Sequence, residues 1–162
     1  RLPLADMLPG YTDPEAADTL WKLRWTRFEN GNTNGVAVET FHSPADGWYF
    51  QWPETWGSNV SAQRKSEAGI IKTTFLVPVE GAEEGYLFQG SDNVLLQIWV
   101  FTGNNRQEYF ASSGMEWLYT SDNAIYGYSL PENGYPQLSL SADQVARSFH
   151  AITKEWASEV FS

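Results

Sequence analysis

The chain has 162 residues, of which 42% are hydrophobic and 15% aromatic, with no cysteine and a formal net charge of −10. This length and composition predict a single globular domain and exclude disulfides, thiolate metal sites and cysteine nucleophiles. The acidic charge makes nucleic acid an unfavourable partner, and no apolar run approaches the ~18 residues that a membrane-spanning helix needs.

The first segment of the chain is rich in proline and predicts an extended arm. Residues 1–19 contain Pro3, Pro9 and Pro14, and the chain starts at Arg1 without an initiator Met or an apolar leader. We therefore interpret residues 1–19 as an arm or linker from a missing upstream region, and residues 20–162 as one α+β domain.

The alternation of apolar and polar residues then predicts two β-hairpins and a central strand. The first hairpin spans residues 20–42 and turns at the polar loop "NGNTNG". The strand "WYFQW" follows and ends at Pro53, and the second hairpin joins "NVSAQRKS" to "GIIKTTFLVPV". "NVLLQIWVFTG" is the most apolar stretch, so we expect it at the centre of the sheet.

The C-terminal third predicts a short helix, a third hairpin and a long terminal helix. "NRQEYFASS" is the short helix, and "MEWLYTSDNAIYGYSLP" folds back at "SDN". Ser141 and Gln144 form a capping box, the signature of a helix N-terminus. The apolar stripe of the terminal helix comprises Val145, Phe149, Ile152, Trp156 and Val160. We expect an α+β fold in which an antiparallel sheet of about six or more strands is covered by helices.

Two stretches resemble the PsbP/Mog-like superfamily. "FHSPADGWYFQWPETW" is similar to its opening hairpin, in which an Asp-Gly turn precedes an aromatic strand that ends in Pro and then Trp. The matching residues are Asp46, Gly47, Trp48, Phe50, Pro53 and Trp56. "LYTSDNAIYGYSLPENGYP" resembles the paired strands of extracytoplasmic bacterial relatives. Its matching residues are Tyr126, Tyr128, Leu130 and Pro131, and Ser148-Phe149 fits the final helix of the family.

The resemblance covers roughly residues 36–161 and implies an α/β/α sandwich that binds or scaffolds rather than catalyses. Relatives include extrinsic photosystem II subunits, Ran-binding proteins and domains of bacterial lipoproteins of unknown role, so the fold alone does not choose a function. We expect a non-catalytic binding domain of a larger extracytoplasmic bacterial protein, secreted or anchored through a missing N-terminal segment. Its expected partner is a protein, and no cofactor is expected.

Trp48, Trp52 and Trp56 form either an exposed stacking platform for sugars or part of a buried core. Trp48, Phe50 and Trp52 share one face of a strand, and large aromatics that alternate in this way favour burial against the terminal helix. A carbohydrate-binding module is the alternative function, and it requires several tyrosines in one exposed patch. The candidates are Tyr49, Tyr86, Tyr109, Tyr119 and Tyr135.

Two sets of residues are candidate metal ligands. Asn30, Asn32 and Asn34 have the spacing of a calcium loop, but Phe41 stands where such a loop needs a bidentate Glu, so a polar turn is favoured. His42 and Asp46 span a turn and could hold a metal or exchange a proton. Structural roles are favoured for His42 and also for His150, the second histidine of the chain.

No nucleophile motif or nucleotide-phosphate loop occurs in the sequence. A hydrolase that uses two carboxylates is the least favoured hypothesis, because an acidic chain always offers such pairs. The acidic candidates are Asp46, Glu54, Glu67, Glu116 and Asp122. We therefore expect no enzymatic activity.

Overall fold

The computed structural model describes residues 4–9, 20–29, 32–43, 45–78 and 92–152, which form two antiparallel sheets and two short helices. Sheet A has the spatial order β1 (Leu4–Met7), β2 (Trp21–Glu29), β3 (Asn32–Ser43), β4 (Trp48–Gln51) and β10 (Phe149–Ala151). Sheet B has the order β5 (Ser61–Glu67), β6 (Ile70–Leu76), β7 (Val94–Thr102), β9 (Ala124–Ser129) and β8 (Glu116–Thr120). The helices are α1 (Arg106–Ser113) and α2 (Ala142–Ser148).

The predicted hairpins are confirmed. β2 pairs with β3, β5 with β6, and β8 with β9, all antiparallel. The apolar strand β7 is the third of five strands in sheet B, and α1 follows it as expected. Local alternation therefore identified most of the strands, although it did not assign them to sheets.

An aromatic core lies between the two sheets. Phe75 of β6 contacts five rings of sheet A and the turn after it, at centroid distances of 5.3 to 6.3 Å. These rings belong to Phe41, Trp48, Phe50, Trp52 and Trp56. The three tryptophans are 0%, 3% and 0% exposed, which confirms that they are buried. Within the described part of the chain they pack against Phe75 of sheet B, and no long terminal helix covers them.

The predicted α/β/α sandwich is wrong, because the described residues form two sheets and contain no long C-terminal helix. The capping box of Ser141 and Gln144 is confirmed, but α2 ends at Ser148. Phe149 adopts an extended backbone (φ −84°, ψ 132°) and starts β10, which pairs with β4. Its ring fills the core 5.8 Å from Trp48 and 5.6 Å from Tyr126. Trp156 and Val160, the last residues of the predicted stripe, lie outside the described residues.

The turn between β3 and β4 joins the two sheets through polar contacts. Arg64 of β5 donates two hydrogen bonds to the Asp46 carboxylate, and this pairing raises the pKa of Arg64. The Tyr126 hydroxyl of β9 donates to the Asp46 carbonyl at 2.9 Å. Gly47 has φ +81°, and a Cβ there would lie 3.0 Å from the Tyr126 hydroxyl, so this turn favours glycine.

Residues 4–9 of the segment predicted as an arm lie beside sheet A. Residues 4–7 form β1, the edge strand of sheet A beside β2. Leu8 is 1% exposed, and its N–H donates to the Leu20 carbonyl at 3.1 Å. Residues 10–19 lie outside the described part of the chain.

Candidate functional site

The outer face of sheet A is the side that points away from sheet B. Phe41, Phe50 and Phe149 are register partners on the inner side, so the residues that alternate with them point outward. Among the residues whose side chains are described, the outer face comprises Ala5, Met7, Trp21, Leu23, Val38, Thr40, His42, Tyr49, Gln51 and His150. None of them is Asp, Glu, Lys or Arg.

The charged residues of these strands whose side chains are described lie on the opposite, inner side of the sheet. Lys22 is 7% exposed, lies 2.9 Å from the Glu39 carboxylate and donates to the Gly57 carbonyl at 3.0 Å. Arg24 lies 3.1 Å from the Asp6 carboxylate at the edge of the sheet. Over residues 21–24, β2 thus presents its charged residues to the inner side and its apolar residues outward.

Three rings stack across the centre of the outer face. Tyr49 of β4 lies between His42 of β3 and His150 of β10, with which it is directly paired in register. The centroid distances are 5.0 Å to His42 and 4.9 Å to His150, and the interplanar angles are 11° and 19°. We call this the His42–Tyr49–His150 stack. It contains both histidines of the chain.

The environment of the stack favours neutral imidazole at His42. Burial lowers the pKa of His42 below its ordinary value. Its Nε2 is hydrogen-bonded to Thr40 Oγ1 at 3.0 Å, and the outer-face residues of the flanking strands carry no carboxylate among the described residues.

The residues predicted to bind a metal are not brought together. His42 points outward, whereas the Asp46 side chain is 1% exposed and paired with Arg64. Tyr49 separates the two imidazoles, which therefore cannot share one ion with ligand bonds of about 2.1 Å. Asn32 and Asn34 belong to β3 rather than to a loop, and Asn30 lies outside the described residues. Within the described chain, no group of three or more His, Asp or Glu could hold a metal ion.

The predicted tyrosine candidates do not form one patch. Tyr49 lies on the outer face of sheet A, whereas Tyr109 is 39% exposed on α1, which packs against β7 and β9 of sheet B. Tyr119 and Tyr135 pack against the core. Tyr86 lies outside the described residues.

Two open grooves flank the loop before α2, and the described residues that line each of them include one carboxylate. The first, of about 510 Å³, is bordered by Trp52, Glu54 and Arg147. The second, of about 410 Å³, is bordered by Leu95 and Glu132. Neither groove offers the opposed pair of carboxylates that glycoside hydrolysis requires.

Sequence reasoning did not identify the outer face as a site. The local pattern that could have indicated this face is "LWKLRW", where Trp21 and Leu23 alternate with Lys22 and Arg24. That alternation does not tell which side of the strand points outward. The pairing of His150 with Tyr49 had no local signal, because it joins strands about one hundred residues apart.

Comparisons with known proteins add no relative. No protein-family model, curated protein or solved structure matches this chain. Among the described residues, no helix has the length and apolar character needed to cross a membrane. A function therefore has to be argued from the surface itself.

Proposed function

We propose that this chain is a non-catalytic binding domain of a larger extracytoplasmic protein, and that the outer face of sheet A contacts a protein partner. The uncharged, aromatic character of the described residues on that face supports the proposal. The central parts of protein–protein interfaces are depleted of charged residues and enriched in aromatic ones. The extracytoplasmic location rests on the sequence resemblance alone.

The exposure of the face supports a role in binding. Val38 is 44% exposed, one of the three large hydrophobic residues that are exposed in the described chain. Gln51 and His150 are exposed beside the half-buried ring of Tyr49. Removal of such a surface from water by an apolar partner makes the free energy of association more favourable.

The absence of catalysis is supported by the state of the acidic candidates. Asp46 is buried and engaged by Arg64, so it is not available to a substrate. Glu54 is the one carboxylate among the described residues that line its groove.

A matched pair of variants tests the proposal. Val38→Asp places a charge on the outer face, and Tyr109→Asp places one at a residue of similar exposure on α1. We expect a partner captured from the source organism by the wild-type domain to bind Val38→Asp at least tenfold more weakly. It should bind Tyr109→Asp as it binds the wild type. Equal binding to all three proteins would contradict the proposal.

A carbohydrate-binding module is the second candidate, and one residue favours it. Trp117 is 60% exposed, and its indole N–H donates to Thr120 Oγ1 at 2.8 Å, which fixes the ring orientation. A fixed, exposed indole can stack on a sugar ring. Glycan binding that is lost in Trp117→Ala but kept in Val38→Asp would favour this function over the first.

A further inference from the structure

One row of side chains crosses the outer face of sheet B, the side that points away from sheet A. β6 turns Phe75 into the core, so Lys72, three positions earlier, points outward. The register partners of Lys72 continue the row over all five strands of sheet B. From β5 to β8 the row comprises Lys65, Lys72, Trp99, Gly127 and Trp117.

The row contains one cation that lies over an aromatic ring. Lys72 of β6 and Trp99 of β7 are direct register partners, and Lys72 Nζ lies 4.4 Å from the centroid of the Trp99 ring. A cation in this position is attracted by the π-electrons of the ring. The pair shows that neighbouring strands of this sheet bring a lysine and a tryptophan into favourable contact.

Trp117 ends the row at the edge of the sheet. β8 pairs with β9 on one side, and the structure describes no strand on its other side. The Trp117 side chain is 60% exposed, and its indole N–H donates to Thr120 Oγ1 at 2.8 Å. α1 packs against β7 and β9, where a Cβ on Gly127 would lie 3.0 Å from Cε1 of Phe110. Among the described residues, the Trp117 ring thus has no cross-strand neighbour beyond the edge.

The backbone of an edge strand offers a template for one more strand. The N–H and C=O groups on the unpaired side of such a strand can pair with an extended chain. Strands lie about 4.8 Å apart, so an added strand would place one side chain directly opposite Trp117 on the outer face. That side chain would have the position relative to Trp117 that Lys72 has relative to Trp99.

The charge of this edge favours a basic strand. Glu116 is exposed at the start of β8, and the whole chain has a net charge of −10. A second copy of β8 would bring like charges together, whereas a segment rich in Lys or Arg is attracted. At the opposite edge of sheet B, β5 carries more basic than acidic side chains, namely Arg64, Lys65 and Glu67.

We propose that the outer edge of β8 accepts an extended, basic peptide segment of a partner protein as a further strand of sheet B, with a Lys or Arg side chain against Trp117. The inference goes beyond the proposed function, because it takes a different surface. Backbone hydrogen bonds would supply affinity, and Trp117 and Glu116 would select the basic side chains. β8 has five residues and its pairing with β9 is irregular between Trp117 and Tyr119, so the added ladder is short and the binding weak.

Fluorescence anisotropy with a labelled synthetic peptide tests the inference. The probe is a seven-residue peptide in which Thr and Lys alternate, so that its lysines lie on one side of an extended strand. The control peptide has the same sequence with every backbone nitrogen methylated, which keeps the charge and removes the N–H donors. We expect saturable binding of the probe and at least tenfold weaker binding of the methylated peptide. Equal binding of the two peptides would overturn the inference, because strand pairing requires the N–H groups.

Two matched pairs of variants locate the site. Trp117→Ala removes the ring at the edge, and Tyr109→Ala removes an exposed ring on α1. Trp117→Ala should weaken peptide binding about two- to fivefold, as expected for an exposed cation–π contact, and Tyr109→Ala should leave it unchanged. Glu116→Gln should weaken binding more than Glu54→Gln, which changes the net charge equally at an exposed position after β4.

The outcomes separate this inference from the proposed function. No saturable binding at millimolar peptide, or binding that Trp117→Ala leaves unchanged, would overturn the inference. Glycan binding that requires Trp117, without peptide binding, would overturn it in favour of the carbohydrate-binding module. Val38→Asp should bind the peptide as the wild type does, because Val38 lies on sheet A. The capture experiment with Val38→Asp therefore stays an independent test of the outer face of sheet A.

Discussion

Asp46 and Arg64 form a doubly hydrogen-bonded ion pair that joins the two sheets, with Nη2 2.7 Å from Oδ1 and Nε 2.8 Å from Oδ2. The Asp46 side chain is 1% exposed, whereas that of Arg64 is 36% exposed. The arginine therefore holds a carboxylate inside the sandwich, in the turn that leads into β4. The outer face of sheet A depends on this turn, because the turn sets the register of Tyr49 against His42.

Removal of Arg64 should destabilise the fold. Breaking a fully buried pair costs about 3–5 kcal/mol, and because Arg64 is partly exposed to water we expect about 2 kcal/mol for Arg64→Met. Urea unfolding should show a lower midpoint with an unchanged m-value. Lys65→Met, at the exposed neighbouring position, is the control and should change stability by about 0.5 kcal/mol or less. Equal effects of the two variants would show that the ion pair contributes nothing.

Gly47→Ala tests the close approach of Tyr126 to the same turn. The left-handed backbone of residue 47 costs an alanine about 1–2 kcal/mol, and displacement of the Tyr126 hydroxyl should add to this. In the Tyr126→Phe background the additional free-energy cost of displacing the hydroxyl should disappear, because the hydroxyl is absent. A double-mutant cycle measured by thermal unfolding gives this coupling directly. If the effects of Gly47→Ala and Tyr126→Phe on the free energy of unfolding are fully additive, displacement of the Tyr126 hydroxyl costs no free energy.

Phe75→Ala tests the position of the core between the sheets. Phe75 contacts the rings of all three buried tryptophans, so we expect a loss of about 3–5 kcal/mol in the free energy of unfolding. Trp117→Ala removes a larger ring that is 60% exposed and should cost about 0.5 kcal/mol or less. Guanidinium unfolding of both variants measures the two losses in the free energy of unfolding. A larger loss for Trp117→Ala than for Phe75→Ala would contradict this fold.

The lowered pKa of His42 predicts a pH dependence of stability. The unfolded chain binds a proton at this side chain near its ordinary pKa of 6.5, and the folded chain does so only at lower pH. The stability that neutral His42 contributes is therefore complete above about pH 7 and declines as pH falls through 6.5 toward the folded value. His42→Gln should show a shallower loss of unfolding free energy between about pH 7 and 5.5. An identical slope in both proteins would contradict this prediction.

The sequence predicted the strands but not their assembly into sheets. The period-two alternation of β2, β3, β5 and β6 is local, and so is the capping box at Ser141. The stripe from Val145 to Phe149 also fits a helix, yet Phe149 is placed by its contacts with Trp48 and Tyr126 and by pairing with β4. Those contacts are distant in sequence, so helical periodicity extended the predicted helix beyond Ser148.

The outer face of sheet A was not predicted for the same reason, because tertiary contacts decide which side of a strand points outward. In β2 the apolar residues Trp21 and Leu23 point outward, while Lys22 lies inside and is satisfied by Glu39 and the Gly57 carbonyl. A sequence pattern predicts that charged residues face water. Here the ion pair with Glu39 reverses that expectation and leaves Trp21 and Leu23 half-buried on the outer face.

Site-specific photo-crosslinking tests most directly whether the outer face of sheet A is the binding surface. Gln51→p-benzoylphenylalanine places the photoreactive group on that face, and Gln107→p-benzoylphenylalanine places it on α1. We expect irradiation in the presence of a protein partner to give a covalent adduct from position 51 alone. An adduct from position 107 with none from position 51 would contradict the assignment of the binding surface.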